Sequence, residues 1–205
     1  LDEINSETLK LLNNSNQGFN RINTDNANDE FYWLGYYNYT QNGMFNAGTD
    51  PVTTGSFSVS FFITRNGASN PRQWLIGTHY AYEFAIVLEA NAGEVTTFIG
   101  GHASSSYNPQ ITGQGKVGNQ QTHFAFVKNS TGANTFKMDF YINGVLTKEA
   151  TFTVNIGSTN GNMLIGANDF NYLVPFNGTL EKLIYMKHRV LNQNDIDILK
   201  NYNNY

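Results

Sequence analysis

From Phe31 onward the chain alternates apolar and polar positions in short runs separated by turn signals, the pattern of strands that bury one face. Ser56–Thr64 reads SFSVSFFIT and puts Phe57, Val59, Phe61 and Ile63 on one face. Tyr82–Leu88 repeats this with Phe84, Ile86 and Leu88. Phe31–Tyr39 is aromatic and extended, and Met44–Ala47 is a short strand. Gln73–Thr78 follows a loop marked by Asn66, Gly67, Asn70 and Pro71. Ala92-Gly93 turns the chain into Glu94–Ile99, residues 106–112 add a strand, and Thr122–Lys128 is another. Phe136–Ile142 and Val145–Val154 flank Asn143-Gly144, two residues that tolerate the positive φ of a tight hairpin turn. Met163–Gly166 and Phe176–Met186 complete the set.

The two ends depart from this pattern. Leu1–Leu12 predicts a short amphipathic helix with Ile4, Leu9, Leu11 and Leu12 apolar, and Asn13–Asp29 is polar and irregular. Residues 1–30 therefore read as a linker or strap, and residues 31–205 as the folded domain. At the far end Asn192 is placed to cap a helix whose third position is Asp195 and whose buried side carries Ile196, Leu199 and Tyr202. About a dozen strands without βαβ alternation, closed by one helix, predict an all-β fold of two packed antiparallel sheets.

Composition narrows what such a domain does. Only 14% of the 205 residues are charged, and Asn, Gly, Thr and Tyr take the place of the missing charges. A polar, uncharged surface suits a neutral hydrogen-bonding partner. The net charge is −4 and no segment is rich in Lys or Arg, so the footprint of a nucleic-acid binder is missing. No apolar run approaches the roughly 18 residues of a membrane span. With no Cys there are no disulfides or thiolate metal sites. The chain opens at Leu1 and shows no signal peptide, which points to a fragment of something larger.

Three segments together resemble the laminin-G-like and pentraxin-like jelly rolls of the concanavalin-A-like lectin/glucanase superfamily. GSFSVSFFITR (Gly55–Arg65) is similar to an early core strand of that family. THFAFVK (Thr122–Lys128), followed by FKMDFYINGVLTK (Phe136–Lys148), resembles its His-containing strand and its strand ending in Asn-Gly. MLIGAN (Met163–Asn168), with Phe176–Lys200, resembles its aliphatic-Gly strand, Phe-x-Gly strand and closing helix. The FSVSFFI run and the Asn-rich loops also resemble the lectin-like jelly roll of clostridial neurotoxins. The resemblance implies a two-sheet antiparallel jelly-roll sandwich with a short C-terminal helix. Many members carry Asp-Glu shortly after the Phe-x-Gly glycine, whereas this chain has Glu181 and Lys182. An ammonium there counts against calcium at that point. Calcium remains the one cofactor the resemblance leaves open, with Asp50, Asn168, Asp169, Asn171 and Glu181 as donors.

The superfamily holds both lectins and glucanases, so the carboxylates decide between them. Glycoside hydrolysis needs two carboxyl groups facing one sugar bond. No Glu-x-Asp-x-Glu triplet occurs. Glu89 and Glu94 straddle a turn, and Asp139 and Glu149 lie on neighbouring strands of one hairpin. None of the four histidines, His79, His102, His123 and His188, pairs with another at metal-ligand spacing, and His123 reads as a buried structural residue. Ser104, Ser105 and Ser106 follow His102 without an acid or an elbow motif.

Sugar recognition stacks aromatic rings on the apolar faces of sugars, with nearby Asn, Asp and Gln making directional hydrogen bonds. The candidate carbohydrate-binding residues are Trp74, His79, Tyr80, His102, Tyr107, Asp169 and Tyr172. Trp33, Tyr36 and Tyr37 form a further aromatic cluster for a binding platform or an oligomer contact. The expected function is a non-catalytic carbohydrate-binding module of a larger cell-surface, secreted or phage-tail adhesion protein, outside the cell or on a virion. Its partner would be a cell-surface or cell-wall polysaccharide, with neither nucleic acid nor membrane as a partner. The competing expectation is a structural jelly roll that makes protein–protein contacts, including a homo-oligomer through the parent protein.

Overall fold

The computed structural model describes residues 6–9, 19–23, 30–39, 45–46, 55–65, 72–78, 84–89, 94–99, 110–116, 120–153, 163–166 and 176–201. Side chains are described for 55–65, 72–77, 85–89, 120–153, 165–166, 176–186 and 188–201. The strands are β1 (Ser6–Leu9), β2 (Phe19–Asn23), β3 (Glu30–Tyr39), β4 (Phe45–Asn46), β5 (Phe57–Arg65), β6 (Gln73–Thr78) and β7 (Phe84–Leu88). They continue with β8 (Glu94–Ile99), β9 (Gln110–Lys116), β10 (Thr122–Ser130), β11 (Thr135–Ile142), β12 (Val145–Thr153), β13 (Met163–Ile165) and β14 (Gly178–Lys187), and the helix α1 (Gln193–Asn201) ends the series. An eight-stranded sheet has the order β1-β2-β3-β14-β5-β10-β11-β12, and a six-stranded sheet the order β4-β13-β6-β7-β8-β9. Every strand pairing is antiparallel. This is the all-β, two-sheet jelly-roll sandwich with one short C-terminal helix that the alternation and the resemblance predict.

The core lies between the sheets and is largely aromatic. Phe57, Val59, Phe61 and Ile63 of β5 point into it, as the alternation requires, and meet Phe124 and Phe126 of β10 and Tyr185 of β14. Phe57 stacks on Tyr185 with ring centroids 5.4 Å apart, and Phe61 tilts against Phe124 at 5.7 Å. Each fully buried ring of this kind contributes roughly 1.5–3 kcal/mol through removal from water.

The outward face of β5 is buried as well, because α1 and the segment leading to it lie across the eight-stranded sheet. Ser58 is small enough to fit beneath this segment. Its Oγ donates to Arg189 O at 2.7 Å and accepts from Leu191 N at 3.2 Å. Leu191 and Ile196 then pack on Ala125, Val127, Tyr141 and Met186. The helix begins as the sequence predicts. Asn192 Oδ1 accepts from the Asp195 amide at 3.0 Å, and Asp195 Oδ2 accepts from the Asn192 amide at 3.0 Å, a reciprocal cap. The hairpin turn adopts φ of 50° at Asn143 and 79° at Gly144. Asn143 also ties the turn to β10, since its Oδ1 accepts from the His123 amide at 3.0 Å.

Two expectations need correcting. The helix expected over Leu1–Leu12 gives way to a strand at Ser6–Leu9, which pairs with Phe19–Asn23. That second strand pairs in turn with β3. The open edge of β3 offers a row of unpaired N–H and C=O groups, and satisfying them outweighs a weak local helical preference. The strand expected at 106–112 begins at Gln110 and runs to Lys116. Pro109 immediately precedes it and has no N–H to give a ladder.

Gly178 is a point of close backbone approach in the eight-stranded sheet. A side chain there would collide with the Thr64 carbonyl oxygen and lie 2.6 Å from the Phe176 ring. Gly178→Ala is therefore expected to destabilise the fold by about 2–3 kcal/mol. Exposed Gly132→Ala, which would meet nothing closer than Thr135 Cβ at 3.7 Å, is expected to shift stability by less than about 0.5 kcal/mol. Urea unfolding midpoints of the two variants check both.

Candidate functional site

The sandwich has two open ends, set by strand direction. At one end lie Arg65 (paired with Gly178), Gln73 (paired with Leu88) and the Glu94–Lys116 pair. A short path joins the two sheets there: the Gly166 amide donates to Leu75 O at 2.9 Å, and the Phe176 amide donates to Gly166 O at 2.8 Å. Gly178 follows Phe176 and lies against Thr64 and Arg65. This is the first mouth. At the second mouth lie Thr78 (paired with Met163), Phe84 (paired with Ile99) and Gln110 (paired with Phe98).

His79, Tyr80, His102, Tyr107, Asp169 and Tyr172 fall outside the described residues, but the strand ends that bracket them are described. Thr78, Phe84, Ile99 and Gln110 are described strand ends at the second mouth, and Gly166 and Phe176 are described at the first. Trp74 packs on Ala85 and Val87 on the outer face of the six-stranded sheet and is only 5% exposed, so its ring presents no open face for stacking.

Sequence reasoning missed two residues at the first mouth. Arg65 extends the inward series of β5 by one step past Ile63, and it is 4% exposed. Its Nε and Nη2 are buried without a hydrogen-bond partner. Gln73, which opens β6, is 5% exposed, and its Oε1 is likewise without a partner. The signal was present in the period-two reading, because an inward position occupied by a cation stands out once the series is extended.

The other polar constellations are structural. Ser60 Oγ and His123 Nε2 share a hydrogen bond of 3.0 Å, but both side chains are buried and His123 Nδ1 has no orienting partner. Burial, and secondarily the charge of Lys200, pushes the His123 pKa down to about 4, so the ring is neutral at pH 7. Asp139 and Glu149 are direct cross-strand partners and share a face. Lys137 bridges them, with Nζ 3.1 Å from Asp139 and 2.7 Å from Glu149. Those two hydrogen bonds, Glu149's first, raise the Lys137 pKa to about 12, so an ammonium fills the space a scissile bond would need.

Among the described residues, no group of three or more His, Asp or Glu side chains is placed to hold a metal ion. Of the calcium donors named from the sequence, Glu181 instead accepts from Gln121 Nε2 at 2.9 Å, and Asp50, Asn168, Asp169 and Asn171 lie outside the described residues. Lys182 adopts φ of 49° at a bulge in β14 and sets its Nζ 5.8 Å from the centre of the Phe62 ring. Among the described residues, no helix is long and apolar enough to cross a membrane.

Residues 35–197 match the family described as the Concanavalin A-like lectin/glucanases superfamily. The chain belongs to that superfamily. No curated protein matches the sequence. Members of known structure share its architecture at low identity. A Ruminococcus gnavus IT-sialidase CBM40, solved with alpha2,3 sialyllactose, is 14% identical with a TM-score of 0.61, over 82% of this chain and 97% of that one. The binding domain of Botulinum neurotoxin DC, in complex with rat synaptotagmin II, is 17% identical with a TM-score of 0.62, over 97% of this chain and 47% of that one. A botulinum neurotoxin type C structure, whose cell entry depends on interaction with two ganglioside molecules, is 18% identical with a TM-score of 0.60, over 98% of this chain and 52% of that one. The superfamily chain described here thus spans nearly the whole sialidase module and about half of each toxin chain. At these identities the likeness carries the fold.

His123 makes the superfamily fold acid-sensitive in a defined window. Unfolded, its imidazole takes a proton below about pH 6.5; folded, it refuses one until about pH 4. The unfolded state therefore holds the extra proton in between, and stability falls as pH drops through that window. The loss reaches up to about 3 kcal/mol and levels off below pH 4. His123→Gln is expected to flatten this dependence, as read from urea midpoints between pH 7 and pH 4.

Proposed function

We propose that this chain is a non-catalytic carbohydrate-binding, lectin-like module of a larger surface-exposed or secreted adhesion protein, with a cell-surface or cell-wall polysaccharide as its partner. Binding is reversible and involves no covalent step. One observation carries the reading: the chain shares its architecture with nearly the full length of a sialidase module solved with a sialylated sugar bound. The uncharged, Asn- and Tyr-rich composition supports it. So does the state of the polar groups described above, since the facing Asp139–Glu149 pair is bridged by Lys137 and the Ser60–His123 pair is sealed from solvent. In this reading Tyr80, His79, His102, Tyr107, Asp169 and Tyr172 serve the sugar. Calcium on Asp169 and its neighbours belongs to the same proposal.

A specific observation favours a second reading, a protein-contact domain. A mostly apolar groove of about 260 Å³ lies between α1 and β14, lined by Ile184, Met186, Leu191, Ile198 and Leu199 together with Arg189 and Asp195, and Ile198 is 58% exposed. Such a patch suits a protein partner better than a sugar.

Glycan-array retention, with and without a calcium chelator, separates these readings. A lectin is retained on at least one glycan, and Tyr80→Ala or Tyr172→Ala weakens retention about tenfold, the equivalent of about 1.4 kcal/mol of lost contact. No retention on any glycan, together with a stable oligomer by sedimentation that Ile198→Glu dissociates, would favour the contact domain instead.

A further inference from the structure

Among the described residues, Arg65 has no counter-charge within an ion pair. It lies on the inward side of β5, at the end where the strand leaves the core, and is almost completely buried. Among the described residues no carboxylate, carbonyl or hydroxyl bonds its guanidinium, and Nε and Nη2 are both sealed from water and unpartnered. A buried cation in this state is strongly unfavourable unless an anion completes it.

The two vacant donors define which anion. Nε and Nη2 occupy one edge of the planar guanidinium, and their N–H bonds run parallel from that edge. This is the fork that takes two oxygens of one oxyanion at once. Gln73 opens β6 at the same mouth, in the opposite sheet, and offers a buried, unpartnered Oε1. An amide oxygen is an acceptor and cannot serve the anion, but it suits a hydroxyl group beside it. A two-oxygen anion next to a hydroxyl is the chemistry of an acidic sugar.

We propose that Arg65 is the receptor for a carboxylate or sulfate substituent on the sugar this module binds, with Gln73 accepting a hydroxyl of the same residue. The inference rests on the carbohydrate-binding reading and deepens it: the ligand class is anionic, and the first mouth is where its charged group lodges. Because the fork is shielded from water, the pairing is stronger there than at a surface. The composition of the chain as a whole, sparsely charged and net negative, gives no hint of this preference.

The test uses the full chain with glucuronate, glucose 6-sulfate and glucose as probes at matched ionic strength. Thermal melting and titration calorimetry are the readouts. Glucuronate, glucose 6-sulfate or both should raise the melting temperature where glucose does not, and the pattern identifies which oxyanion is preferred. Arg65→Gln should weaken binding of the anionic probe about thirtyfold or more. Its ligand-free melting temperature should equal or exceed that of the parent chain, because a stranded buried charge has been removed. A purely structural arginine would instead lower it. If Arg65→Gln does not fold, the comparison of glucuronate and glucose 6-sulfate with glucose on the unaltered chain decides the question. Arg65→Lys, which keeps the charge and loses the fork, is expected to retain part of the response. Equal responses to all three probes, or anion binding that survives Arg65→Gln, would overturn the inference while leaving a sugar-binding module in place. Failure to bind any sugar, neutral or anionic, would overturn both.

Discussion

Aromatic side chains on inward positions of both central strands hold the two sheets together, and every other feature follows from that packing. Phe57, Phe61, Phe124, Phe126, Phe140 and Tyr185 fill the space between the sheets in mutual contact. Rings of this size hold the layers about 10 Å apart, which leaves little room for polar groups between them. Chemistry is thereby pushed to the ends of the strands and to the outer faces. Lys128 shows the constraint within the core. Burial lowers its pKa to about 8, and it is held by a 2.8 Å hydrogen bond to Gly55 O and by the faces of Phe57 and Phe136.

The same packing explains why the outer face of β5 and β10 needs a cover. The inward positions of these strands are taken by large rings, and the outward ones by Ser58, Ser60, Ala125 and Val127. That strip is too small and too apolar to face water alone. The helix and the segment before it complete it, with Ile196 inserted and the Ser58 hydroxyl bonding the incoming backbone. The acid sensitivity of His123 is a by-product, since its ring is trapped on this covered side against Phe62 at 4.8 Å.

Much of the fold was legible in the sequence because period-two alternation is a direct imprint of the sheet. The runs at Phe57–Arg65, Gln73–Thr78 and Glu94–Ile99 needed little or no change of boundary. The Asn-Gly turn and the Asn192 cap are local chemistry, readable without knowing what lies nearby. The first strands were not legible, because their pairing depends on the open edge of β3, a partner that local sequence does not reveal. Asp139 and Glu149 could be placed on one hairpin, but the register that makes them face each other, and the lysine that occupies the gap, emerged only with the pairing. The candidate site was legible as a composition rather than as a place. Aromatic and Asx residues in connecting segments were readable, and those segments lie outside the described residues. Trp74 reads in sequence as an aromatic available for stacking, because its burial against Ala85 and Val87 depends on the pairing of β6 with β7. Arg65 escaped notice because a cation at the end of an apolar series reads as the strand leaving the core.

The bond between Ser58 and the backbone of Arg189 spans 131 residues of sequence. A chain emerging from the ribosome cannot make that contact until almost all of this domain has been synthesised. Until then the outer side of its central strands stands uncovered. Structures with such distant pairings fold slowly and expose sticky intermediates on the way. Shortening the module at its C-terminal end would therefore remove the last piece to arrive, and the defect should surface first as aggregation during synthesis.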